Sequence, residues 1–149
     1  MKNLAKNKKA YFDYEIEKEI EAGIMLYGDE VKSLKEYSCS LKEAHVYIDN
    51  NEVFISNLSI KPYSGNRNHI TNNYDSTRKR KLLLHKKEII KLKEDLTQKG
   101  YSCVPLNMYI NDRGLVKINI GLGKGKKLHD KREAEKKKEQ RRSIQYYVA

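Results

Sequence analysis

The sequence predicts a mainly β chain with short helices, α+β by class: a small antiparallel barrel carrying a basic C-terminal tail. Three observations predict it. Apolar and polar residues alternate over many short runs, two other runs repeat at helical spacing, and positive charge collects at both chain ends. The 149 residues suit one domain with a modest core, because the 38% hydrophobic content is diluted by the charged ends.

From Phe12 the chain alternates, with Phe12, Tyr14, Ile16, Lys18 and Ile20 on one face and Asp13, Glu15, Glu17, Glu19 and Glu21 on the other. That pattern is a half-buried strand with an acidic outer face. Gly23 suggests a bulge or bend before Ile24 to Tyr27 resume as strand. Gly28-Asp29 offers a helix start, and Val31 and Leu34 carry one amphipathic turn to about Tyr37. Ala44, Val46 and Ile48, then Val53 and Ile55, flank Asp49-Asn50-Asn51 as a hairpin, with strand character to about Ile60. Residues 62–77 read as a long irregular loop. Ile89, Leu92 and Leu96 mark a helix over 86–99 that Gly100 ends. Two more alternating runs, Val104 to Ile110 and Val116 to Ile120, surround the turn residues Asn111-Asp112-Arg113-Gly114. Many short strands with two helices point to a barrel of the oligonucleotide-binding kind.

Charge divides the chain into three parts. Residues 1–10 hold four lysines and no acid, a basic N-terminal arm; residues 11–123 form a nearly neutral body; and 124–149 form a basic tail. Within the tail, residues 124–142 hold ten Lys/Arg against four Asp/Glu, much of the overall +11. Such ends suit a polyanion, since each cation placed on a phosphate releases a condensed counterion. A solubilising tail is the other reading of the same charge. Apolar residues in the tail are sparse and aperiodic, so it has no face to bury; it is expected to be disordered when free and helical against phosphates.

The remaining constellations argue against chemistry. Gly121, Gly123 and Gly125 lack the Walker spacing and a surrounding βαβ unit, so they read as a flexible joint before the tail. His45, His69, His85 and His129 are dispersed, and Cys39 and Cys103 stand alone, so neither a metal site nor a disulfide is indicated. No cofactor, small-molecule substrate or catalytic residue is expected. No apolar run has the length of a membrane span and no leader follows the first lysines, which makes a cytoplasmic protein the expectation.

Five motifs together resemble a known family. They are Glu21-Ala22-Gly23-Ile24; Gly28-x-Glu30-Val31-Lys32-Ser33-Leu34; Arg78-x-Arg80-Lys81-Leu82-Leu83-Leu84-His85; Gly100-Tyr101 with Val104-Pro105-Leu106; and Lys124-Gly125-Lys126-Lys127-x-x-Asp130-Lys131-Arg132. In this order, over roughly residues 8–140, the chain resembles the SsrA-binding proteins, the SmpB family, which bind transfer-messenger RNA. Asp75-Ser76 stands where the family commonly has Asp-Pro, and Gly123 where it usually has alanine.

The resemblance implies an RNA-binding adaptor of trans-translation that is not an enzyme. It holds the tRNA-like domain of the RNA and delivers the complex to stalled ribosomes, where the nascent chain is tagged. It places Glu21, Leu83, His85 and Lys117 on the RNA-binding surface, with Lys124 and Gly125 at the start of the tail motif. The basic run Arg78, Arg80 and Lys81 adds phosphate contacts. Lys126, Lys127, Asp130, Lys131 and Arg132 belong to a tail used on the ribosome and helical there. Two other classes compete. A ribosome-assembly or general single-stranded RNA-binding module would show affinity that grows with the length of unstructured RNA, and a nuclease would need a clustered carboxylate or histidine site.

Overall fold

The structure, a computed structural model, describes residues 2–37, 39–63 and 74–126. Among these residues, seven strands form a single antiparallel sheet accompanied by three short helices. The strands are β1 (Lys2–Lys6), β2 (Tyr14–Ile24), β3 (His45–Asp49), β4 (Glu52–Ser56), β5 (Arg80–Leu83), β6 (Ser102–Ile110) and β7 (Val116–Gly125). The helices are α1 (Lys8–Asp13), α2 (Gly28–Glu36) and α3 (Lys86–Gln98). The sheet order is β1-β6-β7-β2-β5-β4-β3, so β2 and β7, neighbours at the centre, come from opposite ends of the body. The sheet curls until β3 approaches β6, and Val46, Ile48, Leu96 and Cys103 line that seam. No helix among the described residues is long and apolar enough to cross a membrane.

Strand alternation explains which side of the sheet is filled. Along β2 exposure alternates from Tyr14 to Glu21, with Ala22 and Ile24 buried at its end. Ala22, Ile24, Val46, Val53, Ile55, Leu82, Met108, Ile118 and Ile120 share one core cluster. Lys18 occupies an inward position, where its Nζ reaches the buried Asp95 of α3 at 3.2 Å. Burial alone would raise the Asp95 carboxyl, but the hydrogen bond and charge of Lys18, joined by Lys99, hold it below the ordinary carboxylate range.

Several sequence expectations need correction. The first residues form β1, which pairs with β6, and Leu4 and Ala5 pack against the core. Phe12 and Asp13 belong to α1, whose start is capped by Asn7 accepting from the Ala10 N–H at 3.3 Å. Gly23 makes no bulge: the irregularity in β2 lies between Ile16 and Lys18, and β2 ends at Ile24 rather than Tyr27. Strand β4 ends at Ser56, beyond which only a Ser40–Ser59 bridge remains. Leu106 leaves the expected alternation at an irregularity between Pro105 and Asn107, and it is buried on Gly121 instead of in the main cluster. The glycines expected as a joint lie inside β7. A Cβ at Gly121 would meet Leu106 at 2.9 Å, and one at Gly123 would lie 1.9 Å from the Glu15 carbonyl oxygen. Close approach rather than flexibility requires them. The hairpin turn is as expected, with Asn50 and Asn51 both at positive φ, and Gly100 and Gly114 take the left-handed conformation that ends α3 and turns β6 into β7. Of the expected loop, 64–73 lie outside the described residues.

An ion cluster under α2 holds the otherwise irregular middle of the chain. Glu30, at 1% exposure, accepts from Arg80 Nε at 2.9 Å and Nη2 at 2.6 Å, from Arg78 Nε at 3.2 Å, and from the Tyr27 N–H at 2.8 Å. Burial alone would raise the Glu30 carboxyl; the hydrogen bonds from Arg78, Tyr27 and Arg80, with the Arg80 charge, outweigh it and hold it below the usual range. A carboxyl held low stabilises the fold above the ordinary glutamate range, and that stability is lost as pH falls through its folded value. Glu30→Gln leaves two guanidinium groups facing a neutral amide, and breaking a buried pair costs about 3–5 kcal/mol. Thermal unfolding followed by circular dichroism should show a melting temperature lower by roughly 10 °C or more and a flatter acid limb. An unchanged melting curve would mean that the cluster contributes nothing to stability.

Candidate functional site

The outward side of the central strands brings together residues that are far apart in sequence. Gly23 of β2 lies opposite Lys117 of β7 on one side and Leu83 of β5 on the other, while Lys117 lies opposite Tyr109 of β6. Partners in an antiparallel sheet point to the same face, so Tyr109, Lys117, Gly23 and Leu83 form one row across four strands. Two residues along, Glu21, Asn119 and Asn107 form a second row, in which Asn119 Nδ2 donates to Asn107 Oδ1 at 3.1 Å. Leu83 is 49% exposed, an apolar residue standing open beside Gly23 and two residues from Lys81. A Cβ at Gly23 would approach the Leu83 Cβ to 3.2 Å, so a glycine here gives Leu83 its room.

Tyr109, which sequence reasoning passed over, completes this arrangement. Its hydroxyl donates to Glu21 Oε2. Burial, then that hydrogen bond and the Glu21 charge, push the Tyr109 phenol up to about 12. One oxygen of Glu21 is thereby engaged inside the protein, and the carboxylate is oriented within the sheet face. Parity could have placed Tyr109 outward, opposite to Met108 and Ile110, but only strand pairing shows that it meets Glu21.

The other candidate positions separate into groups. His85 continues the outward side of β5 and precedes α3; its ring is exposed and its backbone N–H donates to Glu88 Oε1 at 3.0 Å. Lys81 points outward opposite Phe54 and sits 3.4 Å from Glu52. Arg80 is a correction: it is 0% exposed, and its guanidinium is held by Glu30 and by the carbonyls of Leu58 at 2.5 Å and Ser76 at 3.0 Å, so no phosphate can reach it. Arg78 is partly exposed, bound to Glu30 and stacked 4.1 Å over the Tyr27 ring, which assigns it to the cluster first. Lys124 and Gly125 lie opposite Glu15 and Tyr14, at the far end of β7 from Lys117. At roughly 3.3 Å per residue, that end is about 25 Å away. Lys126 anchors the chain there, its N–H donating to the Asp13 carbonyl at 2.8 Å and its Nζ to the Tyr11 carbonyl at 3.2 Å. Lys127, Asp130, Lys131 and Arg132 lie outside the described residues.

The row offers one cation, one open apolar side chain, amides and an oriented carboxylate. That combination suits recognition by hydrogen bonding and shape rather than covalent chemistry. No group of three or more potential metal ligands occurs among the described residues. Both cysteines are free, and burial raises the Cys103 thiol to about 12 and the Cys39 thiol to about 11, far from a reactive thiolate.

Comparison with known proteins covers almost the whole chain. The model of the family described as SmpB protein matches residues 4–149. An SsrA-binding protein of Coprothermobacter proteolyticus is 49% identical over 97% of this chain and 95% of its own length. Another, of Geotalea uraniireducens, is 51% identical over 96% of this chain and 92% of its own. A chain of the solved structure described as "tmRNA-SmpB: a journey to the center of the bacterial ribosome" is 41% identical, with a TM-score of 0.69 over 90% of this chain and 94% of that one.

The Tyr109–Glu21 contact can be tested on the free protein. A phenol raised to about 12 stabilises the fold fully below the ordinary tyrosine range, and that contribution is lost as pH climbs toward 12. Following tyrosinate absorbance during alkaline titration, Tyr109→Phe should remove a late-titrating step while leaving the ordinary ones in place. Persistence of that step in the variant would assign it to another tyrosine and separate Tyr109 from Glu21.

Proposed function

Because the chain belongs to the SmpB family, we propose that it is an RNA-binding adaptor of trans-translation. It binds the tRNA-like domain of transfer-messenger RNA and delivers it to stalled ribosomes for rescue and tagging of the nascent chain. The observation that carries this reading is the common row: Leu83 and Lys117, with Glu21 one step along, reach one open sheet face from three strands. Lys117 supplies a phosphate contact and the counterion release that goes with it. Leu83 offers an apolar contact to a base or sugar, and His85 and Lys81 extend the surface along β5. Glu21, held by Tyr109, uses its remaining lone pairs to accept from base amino groups, a contact that phosphates alone cannot replace.

Lys124 and Gly125 start a second region at the opposite end of β7, where Lys126 is tied to the Tyr11 carbonyl of α1. From there the tail, with Lys127, Asp130, Lys131 and Arg132, engages the ribosome while the body holds the RNA. The division of labour follows from charge: the body is nearly neutral, and the tail carries a large share of the positive excess.

Two measurements test this reading. Lys117→Ala should weaken binding of transfer-messenger RNA and reduce the salt dependence of affinity by roughly one unit, the effect of one lost phosphate contact. Equal affinity and slope would mean that the RNA face lies elsewhere. Replacing Lys131 and Arg132 together with alanine should abolish tagging in a reconstituted translation reaction at near-normal RNA affinity. Full tagging by that variant would reduce the tail to a solubilising appendage. Competition by an unstructured RNA of equal length separates the adaptor from a general single-strand binder.

A further inference from the structure

The outward face of the β3–β4 hairpin carries a ladder of rings that the proposed row does not use. The sequences His45-Val46-Tyr47-Ile48-Asp49 and Glu52-Val53-Phe54-Ile55-Ser56 send Val46, Ile48, Val53 and Ile55 inward and leave His45, Tyr47 and Phe54 outward. Tyr47 and Phe54 are cross-strand partners with ring centroids 5.9 Å apart and planes tilted 32°. The His45 ring stands 5.9 Å from Tyr47 and is held by Ser56, with Oγ and Nε2 2.7 Å apart. Lys79 places its ammonium 4.0 Å from the Phe54 centroid and 6.0 Å from that of Tyr47. Both carbocyclic rings are half-buried, so each keeps part of its surface accessible.

The ladder is continuous with the candidate row. Phe54 lies opposite Lys81, and Lys81 is two residues from Leu83 on the same side of β5. From β5 to β3 the face extends by two strand spacings, roughly 10 Å. We infer that this hairpin face is a stacking platform for unpaired nucleotides of the same RNA that Leu83 and Lys117 contact. The inference rests on the proposed function and deepens it by assigning a second kind of contact.

Two features favour nucleotide bases as the occupant. Base faces stack on rings without regard to sequence, and a cation over the ring adds to such contacts. The hairpin face is also nearly balanced in charge, since Lys79 lies 3.9 Å from Asp49 and Lys81 3.4 Å from Glu52. A phosphate site would need surplus cations there. A ring platform does not, and its contribution should therefore be insensitive to salt. Cross-strand aromatic pairs also stabilise hairpins by themselves, so the test must separate packing from binding.

Full-length Tyr47→Leu keeps an apolar side chain at the position and removes the ring. Its affinity for transfer-messenger RNA should fall about tenfold, the scale of one lost base stack, with the salt slope unchanged. Tyr47→Phe, which restores the ring, should bind like the parent. Photocrosslinking of the parent protein to the same RNA should label a peptide from the 45–56 hairpin. If Tyr47→Leu melts early, that crosslink decides: a labelled hairpin supports the platform, and an unlabelled one overturns it. Loss of affinity in Lys117→Ala but not in Tyr47→Leu would overturn this inference alone and leave the ladder to hairpin packing or a protein partner. Unchanged affinity in both variants would overturn the parent reading, and the inference with it.

Discussion

Burying Glu30 and Arg80, at 1% and 0% exposure, removes two full charges from water, a cost met only where every polar atom finds a partner. Here they do. The Arg80 guanidinium bonds Glu30 twice and then the carbonyls of Leu58, Ser76 and Arg78, joining α2, β5 and the irregular segments on either side of residues 64–73. Tyr74 adds its hydroxyl, lying 3.1 Å from Glu30 Oε2 and 3.0 Å from the Ile60 carbonyl, and Ser33 donates to the Lys61 carbonyl at 2.6 Å. Strand β5 is four residues long and buries a single apolar side chain, Leu82, beside Arg80. Because Leu83 sits three residues after Arg80, the position of the exposed row on the far side of the sheet depends on this buried pair.

The acidic side of β2 poses a second electrostatic problem, solved by phenols rather than by cations. Tyr11 donates to Glu19 at 3.3 Å, Tyr101 to Glu17, and Tyr109 to Glu21. Each hydroxyl comes from a different part of the chain: α1, the turn after α3, and β6. A neutral donor orients a carboxylate without cancelling its charge, so the face stays acidic and hydrogen-bond competent. Lysines in those positions would have neutralised it. Glu21 consequently stands beside Asn119 on the outward face as a directed acceptor rather than as a mobile negative charge.

Glycines define the other end of the molecule by proximity. At Gly121 and Gly123 the backbone of β7 comes against Leu106 and against the irregular stretch of β2 near Glu15, and no side chain fits between them. Strand β7 therefore runs unbroken to Gly125, and Lys126 is tied to α1 before the tail begins.

Local pattern determined a large part of this architecture. The period-two runs, the Asn50-Asn51 turn, the two longer helices and the stop at Gly100 were legible in the sequence because each depends on neighbours a few residues away. So were the charge division and the motifs that led to the family, since both are properties of composition and order. What sequence could not supply was register. Arg78, Arg80 and Lys81 look alike in a row, yet pairing turns Arg80 inward to Glu30, 50 positions away in sequence, and Lys81 outward to Phe54. The same holds for Tyr109 with Glu21 and for Gly121 with Leu106. A one-residue difference in pairing reverses the face on which a side chain lies, and the free energy that selects the register is spread over contacts distant in the chain. Only the folded sheet decides which of two adjacent basic residues is a buried strut and which remains open to a ligand.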